Sequence, residues 1–285
     1  MSEPSKGETA QPDWRVLVSS CDACRDLWPA FFHLLFRCWP EIPKPVYLIT
    51  NYDTFADENV ISIPIGPDDQ WGSNTARALD KFPTKHMVYL HDDYLLHGPV
   101  NHALLVERCD QFATAGGKFL SLWSHGDKGA TVPDTPFNLV PPEWLVADLQ
   151  AGFWNVASFR KFLAQGINVW QGESAIRAQI LRDNTGFWHV RADHPRLLDY
   201  VEGVKGGFWK PNAVQFCREQ GIEPDLKTRP CPPQGNDPIS KLMRSLQKRR
   251  IRWRTNRRLK RSRADGGASV QPHPRDDDPP SKIGA

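Results

Sequence analysis

Residues 85–96 read Lys-His-Met-Val-Tyr-Leu-His-Asp-Asp-Tyr-Leu-Leu and carry the most information in this chain. The apolar, β-favouring run predicts a buried strand that ends at two adjacent carboxylates, Asp92 and Asp93. Carboxylates beside a buried strand are costly unless a cation neutralises them. A divalent metal ion that carries a diphosphate meets this need, because hard cations prefer carboxylate and phosphate oxygens. A solvated strand end, where aspartate is common, explains the pair equally well.

Around this stretch the chain alternates between strand-like and helix-like segments. The alternation predicts an α/β fold with a mostly parallel central sheet, whose ligands bind beyond the carboxyl ends of the strands. Neither Gly-rich phosphate-loop motif occurs, so metal and basic side chains would have to hold any phosphate. Strands are expected at 14–19, 46–50, 60–65 and 118–123 and in the run from Lys85 that ends at Asp92-Asp93, and helices at 25–39, 71–82, 100–115, 157–163 and 174–182.

The composition predicts a globular protein of the cytosol. The 285 residues are 40% hydrophobic and 11% aromatic, which suffices for a sizeable core. Residues 1–13 are polar, lack the pattern of a signal peptide and are expected to be disordered. No apolar run reaches the roughly 18 residues that span a bilayer. Six dispersed cysteines argue against a disulfide framework, and the C-x-x-C spacing of Cys21 and Cys24 is interpreted as two ordinary thiols in preference to a redox pair.

Positive charge is concentrated near the C-terminus. Residues 241–263 contain twelve Lys or Arg residues and no acid, and the rest of the chain holds 24 basic against 33 acidic residues. Residues 236–263 are expected to form a basic, amphipathic helical segment that contacts the anionic inner face of the plasma membrane. Nucleic acid and a disordered, solubilising tail are the competing interpretations, and nucleic acid is disfavoured. Residues 264–285 are expected to be disordered.

Polar residues follow several of the predicted strands. Ser19 and Asp22 follow the first strand, and Asp53 follows the second. These side chains suit contacts to hydroxyl, ribose or base, and they suit turns and helix caps equally. Asn74 and Arg77 share one face of the next helix, where the planar guanidinium could bind a diphosphate.

Glu173 is the candidate general base. It follows Trp170 and Gly172, where an apolar wall could raise the pKa of a carboxyl group. The competing interpretation places Glu173 in the first turn of a helix over 174–182, where negative charge favours the helix dipole.

Taken in order, these motifs resemble glycosyltransferases of the GT-A fold, above all bacterial enzymes of polysaccharide assembly. The resemblance covers about residues 14–215, and the expected domain covers 14–235. The segment His91-Asp92-Asp93 is similar to the D-x-D motif of that fold but lacks its first acid. Trp170 to Glu173 resembles the acceptor-side motif, and residues 200–209 resemble a closing loop in which Lys205 reaches a phosphate.

The resemblance implies transfer of a sugar from a nucleotide-diphosphate sugar to a carbohydrate or lipid-linked hydroxyl acceptor, with inversion. Mn²⁺ or Mg²⁺ would be held by Asp93 with Asp92, and Glu173 would be the base. A non-catalytic nucleotide-binding scaffold in a membrane-associated complex is the main alternative. A hydrolytic metal site is the second, with the Asp pair and four nearby histidines, namely His86, His91, His97 and His102.

Overall fold

The computed structural model describes residues 12–123, 126, 128–142 and 149–232. The terminal segments expected at 236–263 and 264–285, and residues 1–11, lie outside the described residues. The described strands are β1 (Trp14–Ser19), β2 (Val46–Thr50), β3 (Val60–Pro64), β4 (His86–His91), β5 (Tyr94–Leu96), β6 (Phe119–Ser121), β7 (Phe137–Leu139), β8 (Gly152–Asn155), β9 (Phe187–Val190), β10 (Tyr200–Glu202), β11 (Val204–Lys205) and β12 (Phe208–Trp209). The described α-helices are α1 (Trp28–Cys38), α2 (Gln70–Leu79), α3 (His102–Thr114), α4 (Val156–Arg160), α5 (Val169–Arg182) and α6 (Pro211–Glu219).

A central sheet of eight strands organises the described part of the chain. Its order is β3-β2-β1-β4-β8-β6-β9-β7. The first four strands in that order run parallel, and β6 and β9 share their direction, whereas β8 and β7 run antiparallel to their neighbours. The prediction of an α/β fold with a mostly parallel central sheet is therefore confirmed.

The middle of the sheet is buried on both faces. Val16 and Val18 of β1 belong to one apolar cluster, and Leu17 between them belongs to the other. Successive strand residues point to opposite faces, so a strand that is apolar throughout must be covered on both sides. Polar side chains that could contact a ligand are therefore found at the ends of these strands. None of the helices described here is both long and apolar enough to cross a lipid bilayer.

Two small sheets extend the carboxyl edge of the central sheet. β10 pairs antiparallel with β5, and β11 pairs with β12 in a hairpin. Gly206 and Gly207 turn this hairpin with φ of 57° and 81°, a region that favours glycine. The backbone N–H of Gly203 donates to the carbonyl of Asp93 at 2.6 Å, which fastens the hairpin region to the end of β4.

Helix α5 differs from its prediction at its N-terminus. It begins at Val169 instead of 174, because Asn168 caps it and forms a reciprocal capping box with Gln171. Glu173 therefore lies in the second turn, and the interpretation that places it in the first turn is wrong.

Candidate active site at the carboxyl edge of the sheet

Strands β1 and β4 end side by side, since Ser19 pairs in register with His91. The next residues along each strand meet there. The Ser20 hydroxyl donates to Oδ2 of Asp92 at 2.5 Å and accepts a hydrogen bond from Nε1 of Trp28 at 2.7 Å. Three segments of the chain are thereby joined through one half-buried hydroxyl group.

Asp92 is the buried member of the aspartate pair. Burial raises its pKa well above the ordinary value, and the neighbouring Cys24 and Asp93 raise it further. The Ser20 hydrogen bond and the positive charge of Arg229 act in the opposite direction. One oxygen of Asp92 is engaged inside the protein, and its predicted role as a ligand for metal or donor stays a prediction.

Asp93 is the more open member of the pair. Burial raises its pKa to about 6, Glu202 raises it further, and Arg229 opposes the increase. Among the described residues, Asp93 takes part in none of the ion pairs. A half-buried carboxyl group without a protein cation is suited to an external one. One carboxylate together with substrate phosphates is a common donor set for Mg²⁺.

Glu173 is brought to the same strand end by Leu149. Its Oε1 accepts the Leu149 backbone N–H at 3.1 Å, and the Leu149 backbone also hydrogen-bonds His91 at the end of β4. Burial raises the pKa of Glu173, and the hydrogen bond from Leu149 opposes this. Burial lowers the pKa of His91 to about 4, so His91 is neutral near pH 7. A raised carboxyl pKa is what a general base requires.

Close helix packing fixes the position of Glu173. A Cβ added to Gly172 would lie 2.3 Å from Cζ3 of Trp71, so α5 approaches α2 here only because position 172 is glycine. Nε1 of Trp71 in turn donates to the Tyr89 hydroxyl at 2.8 Å, and that hydroxyl also hydrogen-bonds Ser19. The predicted residues Ser19 and Glu173 therefore belong to one packed assembly.

Asp22 holds two loops together. Its carboxylate accepts the backbone N–H groups of Asn51 at 2.8 Å, Tyr52 at 2.9 Å and Asp53 at 3.2 Å. The Asp53 carboxylate pairs with Nη1 of Arg25 at 2.8 Å on the surface. The structure brings both predicted residues to the carboxyl edge, where Asp22 has a structural task and Asp53 stays exposed to ligands.

Asn74 and Arg77 are also engaged within the protein. Oδ1 of Asn74 accepts from the Asp69 backbone N–H at 3.0 Å and from Nη2 of Arg77 at 2.8 Å. The same Arg77 nitrogen donates to the carbonyl of Pro67 at 2.8 Å. These contacts close the turn before α2, and the predicted diphosphate contact of Arg77 stays a prediction.

Lys205 is exposed on the β11–β12 hairpin, beside the glycine turn. In the neighbouring strand, Glu202 is neutralised by Nζ of Lys210 at 2.6 Å. The structure thus places Lys205 on a segment tethered to Asp93, and both the closing loop and the contact of Lys205 with phosphate stay predictions.

Arg229 is a residue of this edge that the sequence interpretation missed. Its Nε and Nη2 bind the two carboxylate oxygens of Asp26 at 2.8 and 3.0 Å, and the two side chains are only 12% and 4% exposed. Nη1 and Nη2 also approach the carbonyls of Gly207 and Ala23, each at 3.4 Å. An arginine beside a proline near the end of the domain carries no sequence signal that would have indicated this position.

The second missed feature is a group of aromatic side chains beside Asp93. The rings of Tyr94 and Tyr200 lie 4.7 Å apart between centroids, and Trp123 lies 5.0 Å from Tyr200. The Tyr200 hydroxyl hydrogen-bonds the Gln150 side chain, and the guanidinium of Arg196 lies 5.0 Å from the Trp123 ring centre. Four separate segments contribute, so no local motif reveals the group.

A shallow cleft adjoins the edge on the side of β1 and β2. It is lined by Arg25, Trp28, Tyr52, Asp53 and Thr54.

The four predicted histidine ligands do not form a metal site with the Asp pair. Within the described ranges, no group of three or more His, Cys, Asp or Glu side chains is arranged to hold a metal ion.

No protein-family model matches this sequence, and a comparison with curated proteins gives no significant match. Solved structures with similarity include S. aureus TarS 1–349 in complex with UDP-GlcNAc, with 11% identity, a TM-score of 0.41 and coverage of 65% of this chain and 60% of that one. The bifunctional IspDF from Campylobacter jejuni gives 12% identity and a TM-score of 0.38, covering 66% of this chain and 52% of that one. The chain thus spans about 60% of the TarS fragment. Similarity at this level supports no assignment of activity.

Proposed function

We propose that this protein is a glycosyltransferase that moves a sugar from a nucleotide-diphosphate sugar to a hydroxyl acceptor. The observation that carries the proposal is that two half-buried carboxyl groups are both connected to the end of β4. Asp93 follows β4 directly, and Glu173 reaches the same strand end through Leu149, which also binds His91. Both carboxyl groups have raised pKa values for the same reason, burial.

The donor would lie between the shallow cleft and Asp93. Tyr52 is 58% exposed and offers an aromatic face to a base, and Asp53 and Arg25 offer polar groups to a ribose. Asp93 would hold the divalent cation of the diphosphate, with Asp92 behind it. When bound, that cation would neutralise the charge that develops on the departing nucleotide.

Glu173 would take the proton from the acceptor hydroxyl. Its raised pKa makes it a stronger base than an exposed glutamate, and the Leu149 N–H fixes its orientation. Attack by the acceptor oxygen on the face of the sugar opposite the diphosphate would invert the anomeric configuration. Lys205, on the tethered hairpin, would add positive charge at the leaving group.

The basic segment suggests where the reaction takes place. Twelve basic residues without an acid over 241–263 suit an anionic membrane surface, and a cytoplasmic enzyme held there could act on lipid-linked acceptors. We therefore include assembly of a cell-surface polysaccharide or glycolipid in the proposal.

Thermal unfolding with a panel of nucleoside diphosphates and their sugar conjugates tests the proposal. Each nucleotide is offered with Mn²⁺, Mg²⁺ or chelator, since a ligand that binds the folded state raises its apparent stability. The proposal predicts a metal-dependent increase with at least one sugar nucleotide, followed by release of its nucleoside diphosphate on incubation. An increase without turnover in the presence of acceptors would favour the scaffold. No increase with any nucleotide would contradict the proposal.

A further inference from the structure

We infer that the aromatic group beside Asp93, formed by Tyr94, Trp123 and Tyr200, is the binding surface for a pyranose ring of the acceptor. The inference rests on the proposed function and names the acceptor class: a carbohydrate end, bound through its ring, in preference to a bare lipid or a protein hydroxyl. This group is called the aromatic platform below.

The backbone register places the platform on one face of a small sheet. Tyr94 of β5 lies opposite Glu202 of β10, and Tyr200 lies two residues before Glu202. Residues two apart on a strand share a face, so the two tyrosines and the glutamate point to the same side. Both Tyr200 and the intervening Val201 are partly buried against the same apolar core. The platform is therefore a built surface, held in position by a core behind it.

The platform is linked to both carboxyl groups of the proposed reaction by short chains of contacts. Tyr94 directly follows Asp93, and its ring lies 6.2 Å from that of His91. Tyr200 hydrogen-bonds Gln150, the residue next to Leu149, which donates to Glu173. An acceptor on this surface is thus flanked by the donor side and by the base. In the proposed reaction the acceptor hydroxyl must lie close to the donor sugar and to Glu173.

The chemistry of the platform matches a sugar ring. All three aromatic side chains are partly exposed, and their faces can cover the C–H groups of a pyranose. Polar groups border these faces, namely the Gln150 amide, the Glu202 carboxylate and the Arg196 guanidinium. Each of these groups has one protein partner, namely Tyr200, Lys210 and Asp199 respectively. A lipid chain would remove water from their remaining donors and acceptors without replacing its hydrogen bonds, at a cost in affinity. A sugar ring offers hydroxyls to them.

Saturation-transfer NMR tests the inference with the full chain, UDP and a set of methyl glycosides of glucose, galactose, N-acetylglucosamine and glucuronic acid. We expect saturation transfer to the ring protons of at least one glycoside. Tyr200→Leu keeps apolar volume but removes the aromatic face, and it should weaken that binding roughly ten-fold, as should Trp123→Leu. The control is Leu181→Ala, which changes a 57% exposed leucine on α5 and should have no effect.

The experiment distinguishes failure of the acceptor assignment from failure of the proposed function. Absence of binding by every glycoside, from protein whose unfolding temperature responds to a sugar nucleotide, would overturn the acceptor assignment and leave the proposed function standing. Equal binding by wild type and both leucine variants would also overturn it, as would stronger binding of n-octanol than of any glycoside with the same sensitivity to Tyr200→Leu. Absence of a nucleotide response would count against the proposed function alone.

Discussion

The carboxyl edge of the sheet has two halves that use similar residues in opposite ways. In the locked half, which comprises Ser20, Asp22, Asn51 and Asp92, the carboxylates accept hydrogen bonds from the protein itself. In the open half, which comprises Asp93, Glu173, Tyr94 and Tyr200, neither carboxyl group has a side-chain hydrogen-bond partner among the described residues, and Glu173 accepts only the Leu149 backbone N–H. An aspartate at a strand end can therefore serve the fold or the chemistry. The hydrogen-bond partners of the carboxylate indicate which of these two roles it has.

Arg229 connects the two halves. It is bound to Asp26, and it approaches Ala23 of the loop after β1 and Gly207 of the hairpin that is tethered to Asp93. Its positive charge lowers the pKa values of both Asp92 and Asp93. The comparison predicts that changes in the locked half reduce stability and that changes in the open half reduce activity.

The largest effect on turnover is expected from Glu173→Gln. Loss of the general base should lower turnover roughly 10²- to 10⁴-fold while the donor still binds. Turnover is measured as release of nucleoside diphosphate in the presence of acceptor, and donor binding as the shift in unfolding temperature. Glu58→Gln, an exposed change before β3, is the control and should keep full turnover. Equal turnover in the two variants would remove Glu173 from the mechanism.

Arg229→Met should cause the largest loss of stability. It leaves the Asp26 carboxylate buried without its partner, and breaking a buried ion pair costs about 3–5 kcal/mol. Urea unfolding measures this loss. The double variant Asp26→Asn with Arg229→Met leaves no unpaired charge and should recover part of it. A double variant that is less stable than Arg229→Met would show that the pair is not the source of the effect.

Asp22→Ala should destabilise the protein by about 2 kcal/mol, because three backbone N–H groups lose their acceptor. Chemical denaturation again gives the value. Asp53→Ala, which removes a surface ion pair, is the matched control and should cost less than about 1 kcal/mol. Similar losses for the two variants would contradict the structural role of the Asp22 carboxylate.

The smallest expected effect is a pH dependence of the free energy of unfolding that is caused by Asp93. Its pKa of about 6 lies above the ordinary 3.8, so the folded state binds more protons than the unfolded state between these values. Its contribution to the free energy of unfolding therefore falls as pH rises from about 4 to 6 and stays low above that. Asp93→Asn removes this contribution, and its stability relative to wild type should increase across the same window. Urea unfolding in chelator measures the difference, and a difference independent of pH would contradict the raised pKa.

The sequence predicts the central fold well where the apolar runs are long and rich in β-formers. β1 and β2 lie at the predicted residues 14–19 and 46–50, and β4 lies in the predicted apolar run that ends at the aspartate pair. β8 was missed because Gly152–Asn155 is only four residues long and flows directly into α4. A short strand of this kind has no periodicity to detect.

The site was predicted in part, and the limits have physical causes. Aspartates at a strand end are visible in sequence, so both members of the pair were found. Which of them is locked depends on Ser20, more than seventy positions away in the chain, and that contact has no local signature. The aromatic platform and Arg229 combine distant segments and were missed for the same reason. Asp22 looks the same in sequence whether its oxygens bind a ligand or a loop.

Donor binding to Asp93→Asn is the measurement that tests the central claim most directly. Titration calorimetry would follow the binding of the sugar nucleotide that gives the largest thermal shift, with Mn²⁺ and with chelator. The control is Asp183→Asn, an exposed change at the opposite edge of the sheet. We predict metal-dependent binding by wild type and by the control, and a loss of roughly 10²-fold in Asp93→Asn, equivalent to about 2.7 kcal/mol. Unchanged affinity in Asp93→Asn, with and without chelator, would contradict the account.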